Sequence, residues 1–447
     1  MLSKQSSNRS ARPLLRRLVL VKPGEGRALF WAGAYFFFLL LSYYLLRPVR
    51  EAMGISKGAD KLPWLMTATM LVMLLANPLY SLIVSKLPRR RFIPIISHFF
   101  ATNLLLFFLA FKLLPEHGGA TLGYVFYVWS SVFNLFVISV FWGLMSDVFS
   151  EDQGKRLFGV ISVGGTLGAI VGAAATERLS TGSLGVQLDA PSMMLVALVG
   201  LELAVACMLR LADHFGLSYA GNGAREPGPD FKQGLRLIGQ SRYLQLICLY
   251  IVLFTITSTL LYLSQGEIVA RSFHGTAERT AAFARLDLWG NLLTLALQLF
   301  VTSRLLRGLG VAGVLLILPV LTLLGFGALA LWPAFATLAT IQVLRRGLHY
   351  AVDRPAREIL YIPLGPEERY KSKPFIDTFV YRCGDFLGVW APTLLGILLI
   401  PVGAAALATA AAWIGTGSWL GRRIPRPAGA SARLAPAPRG VPDATRP

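Results

Sequence analysis

The charged residues of this chain gather where chemistry can use them. Between Asp353 and Leu387 it reads DRPAREILYIPLGPEERYKSKPFIDTFVYRCGDFL. Arg354, Arg357, Arg369, Lys371, Lys373 and Arg382 stand there among Asp353, Glu358, Glu367, Glu368, Asp377 and Asp385. Arg345 and Arg346 come just before, and Arg47, Arg50 and Glu51 close the first apolar run. A guanidinium is planar, permanently charged and forked, so it matches the oxygens of a carboxylate or phosphate. Arginines interleaved with acids suit reversible binding of an anion. They do not suit catalysis: no nucleophile–base set stands out, and no spacing of His, Cys or acids marks a metal site. No cofactor is implied.

Apolar elements must position these groups. The 447-residue chain is 55% hydrophobic with a mean hydropathy of +0.59. Only 15% of its residues are charged, against roughly 25% in soluble domains. A net charge of +20 would fit a nucleic-acid binder. The positive residues, however, lie in short segments between long apolar runs, which is the membrane pattern. The partner is therefore the lipid bilayer, and no nucleic acid is expected. Cys207, Cys248 and Cys383 are scattered in or beside apolar segments and read as small buried hydrophobes. The basic start followed by an apolar run resembles a signal peptide, but Ala28–Leu46 is too long for one and no cleavage site follows.

About 20 apolar residues span a bilayer as helix. That rule predicts twelve spans: 28–50, 62–85, 92–111, 122–146, 157–176, 191–211, 243–265, 286–303, 311–332, 334–360, 375–400 and 402–420. The expected fold class is an all-α integral membrane protein, with about twelve transmembrane helices in two pseudo-symmetric six-helix halves, major-facilitator-like. Residues 28–212 form the N-terminal half and 243–420 the C-terminal half. Residues 1–27 are a basic cytoplasmic tail, 213–242 a cytoplasmic linker, and 421–447 a tail unable to bury a core. Nearly all the net positive charge falls on the tails and alternate connections, which puts both termini in the cytoplasm, with a bacterial inner membrane as the expected setting. An internal repeat supports two halves. FSEDQGKRLFGVISVGGTLG (149–168) and LGPEERYKSKPFIDTFVYRCGDFLG (364–388) follow spans four and ten, each with an acidic pair, a basic pair, an apolar helix and a glycine step.

A charge at the bilayer centre costs at least about 2.5–3.5 kcal/mol, so charged spans must line a wet cavity or pair internally. Arg47, Arg50, Glu51, Arg345, Arg346, Arg354, Arg357, Arg382 and Asp385 are the candidate substrate-binding residues. Of these, Arg354, Arg357 and Arg382 sit nearer carboxylates and are equally read as structural partners. Glu202, Asp287, Glu358 and Asp377 are candidates for gating or coupling, with a hydrogen-bonded packing role as the plainer account of Glu202. Asp287, Asn291, Thr294 and Gln298 fall on one helical face. His349 reads as a cavity-lining hydrogen-bonder, and Tyr43 and Tyr44 as packing residues or stacking platforms. Gly164, Gly168 and Gly172 are spaced by four with no GK[ST] after them, which favours close helix packing over a phosphate loop.

Three stretches carry a family resemblance: LLRPVREAMG (45–54), FWGLMSDVFSEDQGKRLFG (141–159) and REILYIPLGPEERYKSKPFIDTF (357–379). They resemble the nucleotide transporters, the ATP/ADP antiporters of plastids and obligate intracellular bacteria. The resemblance covers most of spans one to eleven. It implies a facilitator-like fold that exchanges nucleotides or related phosphorylated anions by alternating access. It matches the family's basic residue of span one to Arg50 and its acidic neighbour to Glu51. It also shows two departures: the family's span-eleven lysine falls on Asp385, and a span-four glutamate on Ser130. Two other functions stay open. One is a proton-coupled facilitator for another organic anion or a xenobiotic. The other is a non-transporting sensor or scaffold on the same fold, disfavoured by the lack of a large soluble domain. A monomer is the expected state.

Overall fold

In the computed structural model, residues 21–22, 24–84, 89–114, 119–215 and 231–424 are described, and all regular structure among them is helical. Most of both tails, residues 216–230 of the linker and the connection 85–88 lie outside the described residues. The helices are α1 Glu25–Gly54, α2 Leu62–Val84, α3 Arg89–Leu113, α4 Gly119–Val148, α5 Glu151–Thr181 and α6 Ala190–His214. Next come α7 Phe231–Gln240, within the linker, then α8 Arg242–Ser272, α9 Thr276–Phe300 and α10 Thr302–Leu331. The chain ends with α11 Phe335–Leu348, α12 Arg354–Ile359, α13 Pro366–Phe375, α14 Tyr381–Ile397 and α15 Val402–Arg422. Among the described residues eight helices, α1–α6, α8 and α10, are long and apolar enough to cross a membrane by length and composition. The protein is thus an all-α, many-span membrane protein.

Local sequence explains the boundaries. Ser150 starts α5 with a capping box, its hydroxyl accepting from Gln153 N while Gln153 accepts from Ser150 N. Asp189 caps α6 by accepting from Ser192 N at 3.1 Å. Several elements differ from the expected spans, among them α10, which starts at Thr302 rather than 311. Helix α9 begins at Thr276 rather than 286, since Glu278, Arg279 and Arg285 lower its hydropathy without breaking the helix. There Arg279 donates to the carbonyls of Phe273, Ala270 and Ile55, at 2.9, 3.2 and 3.0 Å. The span expected from 375 starts at Pro366, and the linker carries the short helix α7. Two π-helical turns, His349–Asp353 and Ile376–Val380, join α11 to α12 and α13 to α14.

One buried core runs from Ala28 to Ala212 and a second from Leu244 to Leu420. A third joins the two helix sets, bringing Ala52, Ile55, Leu62 and Tyr127 against Leu261, Phe283 and Leu338. Each set has a glycine seam. A Cβ on Gly164, Gly168 or Gly172 of α5 would lie 2.5, 2.1 or 2.7 Å from the carbonyl oxygens of Gly33, Phe37 and Leu41 on α1. A Cβ on Gly384 or Gly388 of α14 would lie 1.9 Å from Thr255 Oγ1 or 2.8 Å from Thr259 Cβ on α8. The four-residue spacing is therefore a backbone-to-backbone packing device.

Candidate functional site

Between the two helix sets lies a cavity of about 850 Å³. From α1 it takes Tyr43, Tyr44, Arg47, Arg50 and Glu51, and from α4 Tyr127, Ser131 and Asn134. The second set adds Tyr262, the α9 face Asn291, Thr294 and Gln298, and Tyr350, Arg354, Arg382 and Asp385. A side chamber of about 260 Å³ adjoins it, lined by Asp287, Arg345, Arg346 and His349 among others.

Several polar links cross between the sets, and two of them lie at the cavity wall around Asp287 and Glu51. Asp287 accepts from Arg47 at 2.8 Å and from Arg346 on the neighbouring helix. Tyr262 donates to Glu51, so Tyr127, 2.7 Å from the Tyr262 hydroxyl, must be the donor in that contact. Arg50 lies 3.5 Å from Glu51 and stacks 4.2 Å over the Tyr127 ring. Arg50 Nε, Asn134 Oδ1 and Asn291 Nδ2 are buried yet have no hydrogen-bond partner among the described residues. Native proteins leave few such groups. All three belong to residues lining the main cavity.

Other expected residues sort by place. Asp353 binds Arg357 at 3.1 Å and His349 at 3.2 Å, and accepts from Tyr250 at 2.8 Å. Arg357 thus belongs to a buried cluster beside Phe254, over which its guanidinium sits at 5.0 Å. Arg382 meets Asp385 at 3.4 Å on the cavity wall. Glu358 pairs with Lys373 at 2.6 Å, and Asp377 is exposed; neither lines the main cavity or the side chamber. Glu202 faces outward and meets His98 at 3.3 Å. Ser130 is fully buried, its hydroxyl unpartnered, while its neighbour Ser131 lines the cavity.

Sequence reading missed several groups: Tyr127 and Tyr262, the outer pair Arg285–Glu177 at 2.8 Å, and the hydroxyls of Thr257, Ser258 and Thr322 around Arg345. Hydroxyls inside apolar runs carry no signal that separates a cavity liner from one bonded to its own helix. At the end with the 55–61 and 273–275 loops the sets touch directly, through Arg279 on Ile55 O, Arg285 on Glu177 and Trp390 donating to Thr67 at 3.1 Å. Among the described residues no group of three His, Cys, Asp or Glu is placed to hold a metal.

The chain has curated relatives. The ADP,ATP carrier protein 1 of Chlamydia muridarum is 22% identical over 419 residues, covering 78% of each chain. The same-named carrier of Chlamydia trachomatis is 22% identical over 58% of this chain and 56% of its own length. The plastidic ATP/ADP-transporter of Solanum tuberosum is 24% identical, over 77% of this chain and 64% of its own. Among solved structures, the nucleoside transporter NupG superposes with a TM-score of 0.56 at 12% identity, covering 88% of this chain and 98% of that one. A POT family transporter bound to 5-aminolevulinic acid gives 0.60 at 12%, covering 88% and 94%. At such identity these likenesses speak to fold alone: a facilitator-like bundle of membrane helices. The family model described as TLC ATP/ADP transporter matches residues 122–416, the stretch that supplies Tyr127, Tyr262, Asp287, the arginines of α11 and Arg382, and the chain belongs to that family.

Proposed function

We propose that the protein is a secondary transporter that moves an anionic solute, a nucleotide in ATP/ADP-type exchange, by alternating access. One observation carries the reading: the two adjoining spaces set Arg47, Arg50, Arg345, Arg346, Arg354 and Arg382 against three carboxylates, Glu51, Asp287 and Asp385. A surplus of guanidinium charge inside a membrane is costly without a counter-charge, and a phosphorylated substrate supplies one. The unpartnered Arg50 Nε, Asn134 Oδ1 and Asn291 Nδ2 offer it further donors and an acceptor. Tyr43 and Tyr44 supply aromatic surface for a base.

The arrangement that goes with this is twelve spans in two six-helix halves, α1–α6 and α8–α15, with α11–α12 and α13–α14 each forming one broken span. The matching glycine seams, α5 on α1 and α14 on α8, support the repeat. With both termini cytoplasmic, the contacts at the 55–61 loop close the outer side, and the cavity faces inward.

Counter-flow tests the reading. Proteoliposomes loaded with ADP should take up labelled ATP, and empty vesicles should not. Arg50→Ala should abolish uptake with folded protein retained; a rate like the wild type in that variant sinks the proposal. A second reading, proton-coupled transport of another organic anion, is favoured by Asp385 on the cavity wall, where the resemblance expects lysine. It requires uptake driven by an imposed pH gradient and abolished by an uncoupler.

A further inference from the structure

Arg345 differs from the other arginines around the cavities that are shielded from solvent; Arg354, which also meets no acid among the described residues, is exposed. Arg345 is only 7% exposed, and no carboxylate lies within ion-pair distance of it among the described residues. Arg47 and Arg346 have Asp287, Arg50 has Glu51, Arg357 has Asp353 and Arg382 has Asp385. Hydroxyls hold Arg345 instead. Its Nε donates to Thr322 Oγ1 at 3.1 Å, and one amino group donates to Ser258 Oγ at 2.7 Å and Thr257 Oγ1 at 3.5 Å.

These hydroxyls cannot turn around. Each donates its own proton to a backbone carbonyl: Thr322 to Leu318, Ser258 to Phe254, and Thr257 to Leu253 and Phe254, all at 2.8–2.9 Å. Their lone pairs are therefore fixed on the guanidinium. The cradle orients the cation and leaves its charge uncancelled, which is the preorganisation expected of an anion site. The remaining amino group makes no hydrogen bond among the described residues, and Arg345 lines the 260 Å³ chamber.

That chamber is below the roughly 300–1,000 Å³ range of pockets that enclose a whole small molecule, while the 850 Å³ cavity falls within it. Arg47, Glu51, Met66, Tyr262 and Tyr350 line both spaces, so the two adjoin with only these side chains between them. Arg346 enters the chamber already committed to Asp287, and Gln342 and Gln265 bond each other at 2.5 Å.

We propose that the Arg345 chamber is a phosphoryl-group subsite. It takes the terminal phosphate of a nucleoside di- or triphosphate whose base and sugar occupy the larger cavity, so that the protein selects substrates by phosphate number. The inference rests on the nucleotide reading above. A monophosphate, reaching only the arginines of the main cavity, leaves the chamber unfilled.

The test is competition in the counter-flow assay by nucleoside mono-, di- and triphosphates, with wild type, Arg345→Gln and Arg345→Lys. One charged hydrogen bond lost from a buried phosphate corresponds to about a tenfold effect. The preference for di- and triphosphate over monophosphate should fall about tenfold in Arg345→Gln and less in Arg345→Lys. An unchanged preference in both overturns the proposal. If Arg345→Gln does not fold, Ser258→Ala and Thr322→Val loosen the cradle one hydroxyl at a time and should lower the preference in steps. A parallel arm reads thermal stabilisation of the purified full chain by inorganic pyrophosphate, inorganic phosphate and chloride. Stabilisation by pyrophosphate that Arg345→Gln removes supports the oxyanion subsite even if wild-type vesicles exchange no nucleotide, in which case the transport reading alone fails. Stabilisation by free phosphate or chloride that nucleotides do not displace makes the chamber a separate ion site and overturns the subsite. So does an absence of stabilisation by pyrophosphate.

Discussion

Asp287 accepts from two arginines, but only one contact spans the two helix sets. Arg47 belongs to α1, whereas Arg346 sits on α11, beside α9 in the same set. Asp287→Asn keeps the shape and removes the charge, leaving both guanidinium groups without their acid. Breaking a fully buried pair from one side costs about 3–5 kcal/mol. The arginine side chains here are 22% and 17% exposed, so a charged hydrogen bond of about 1.5–3 kcal/mol is the better scale for each contact. The Arg346 share persists whichever way the cavity opens, and its loss lowers overall stability. The Arg47 share exists only while these ends of the sets meet. Its loss, about 1.5 kcal/mol, should shift the conformational equilibrium about tenfold away from the conformation described. Spin labels on Lys57→Cys and His274→Cys, in a background with Cys207, Cys248 and Cys383 replaced, would report the separation at that end by pulsed EPR. A longer-distance population should grow in Asp287→Asn. In a double-mutant cycle with Arg47→Met the two changes should be coupled in that population by more than about 0.5 kcal/mol. With Arg346→Met the coupling should appear in melting temperature only. An unchanged distance distribution in Asp287→Asn would refute the idea that this link holds the sets together.

Four further substitutions have defined outcomes. Gly168→Ala drives a Cβ to 2.1 Å from the Phe37 carbonyl oxygen; it should cost about 1–3 kcal/mol or more and be visible as lost monodisperse protein on size exclusion. Gly159→Ala, with nothing within 4 Å, should behave as wild type. Glu202→Gln should leave both the rate and the pH dependence of uptake intact, because Glu202 faces away from both cavities. Asp385→Lys exchanges an acid for a base on the cavity wall beside Arg382 and should lower the apparent KM for triphosphate more than for diphosphate in competition assays.

Much of this was legible in the sequence because the bilayer restricts what apolar runs can do. With no water to satisfy backbone groups, an apolar run of that length can only be a helix, so each of α1–α6, α8 and α10 covers an expected apolar run, although α10 starts nine residues before its own. The polar face of α9 was legible for the same reason: Asn291, Thr294 and Gln298 have a helical period and few ways to be tolerated. Glu202 was harder. A lone acid in a span reads identically whether it faces a cavity or an outer helix, and its partner His98 lies on another helix, far off in sequence. Ser130 and Ser131 show the limit sharply. A shift of one residue turns a side chain by about 100°, and only packing shows that the second lines the cavity while the first is buried against other helices.

The two π-helical turns account for how so many charges converge. Each is a local i to i+5 widening that changes the helical phase between the residues before and after it. Before the first turn, Gln342, Arg345 and Arg346 line the side chamber; within the turn, His349 lines the side chamber and Tyr350 both spaces, and Arg354, just beyond it, lines only the large cavity. The second turn, Ile376–Val380, ends where Tyr381 lines the side chamber and Arg382 and Asp385 the large cavity. One helix on each side thus serves two adjoining spaces with different charge. The turns lie on opposite sides of the 360–365 connection, in the stretch where the sequence is most densely charged. A regular 3.6-residue repeat would send part of that charge into lipid, at a cost of a few kcal/mol per residue. The break in the helix is therefore the counterpart of the charge density, and the two together place charged side chains around cavities inside a membrane protein.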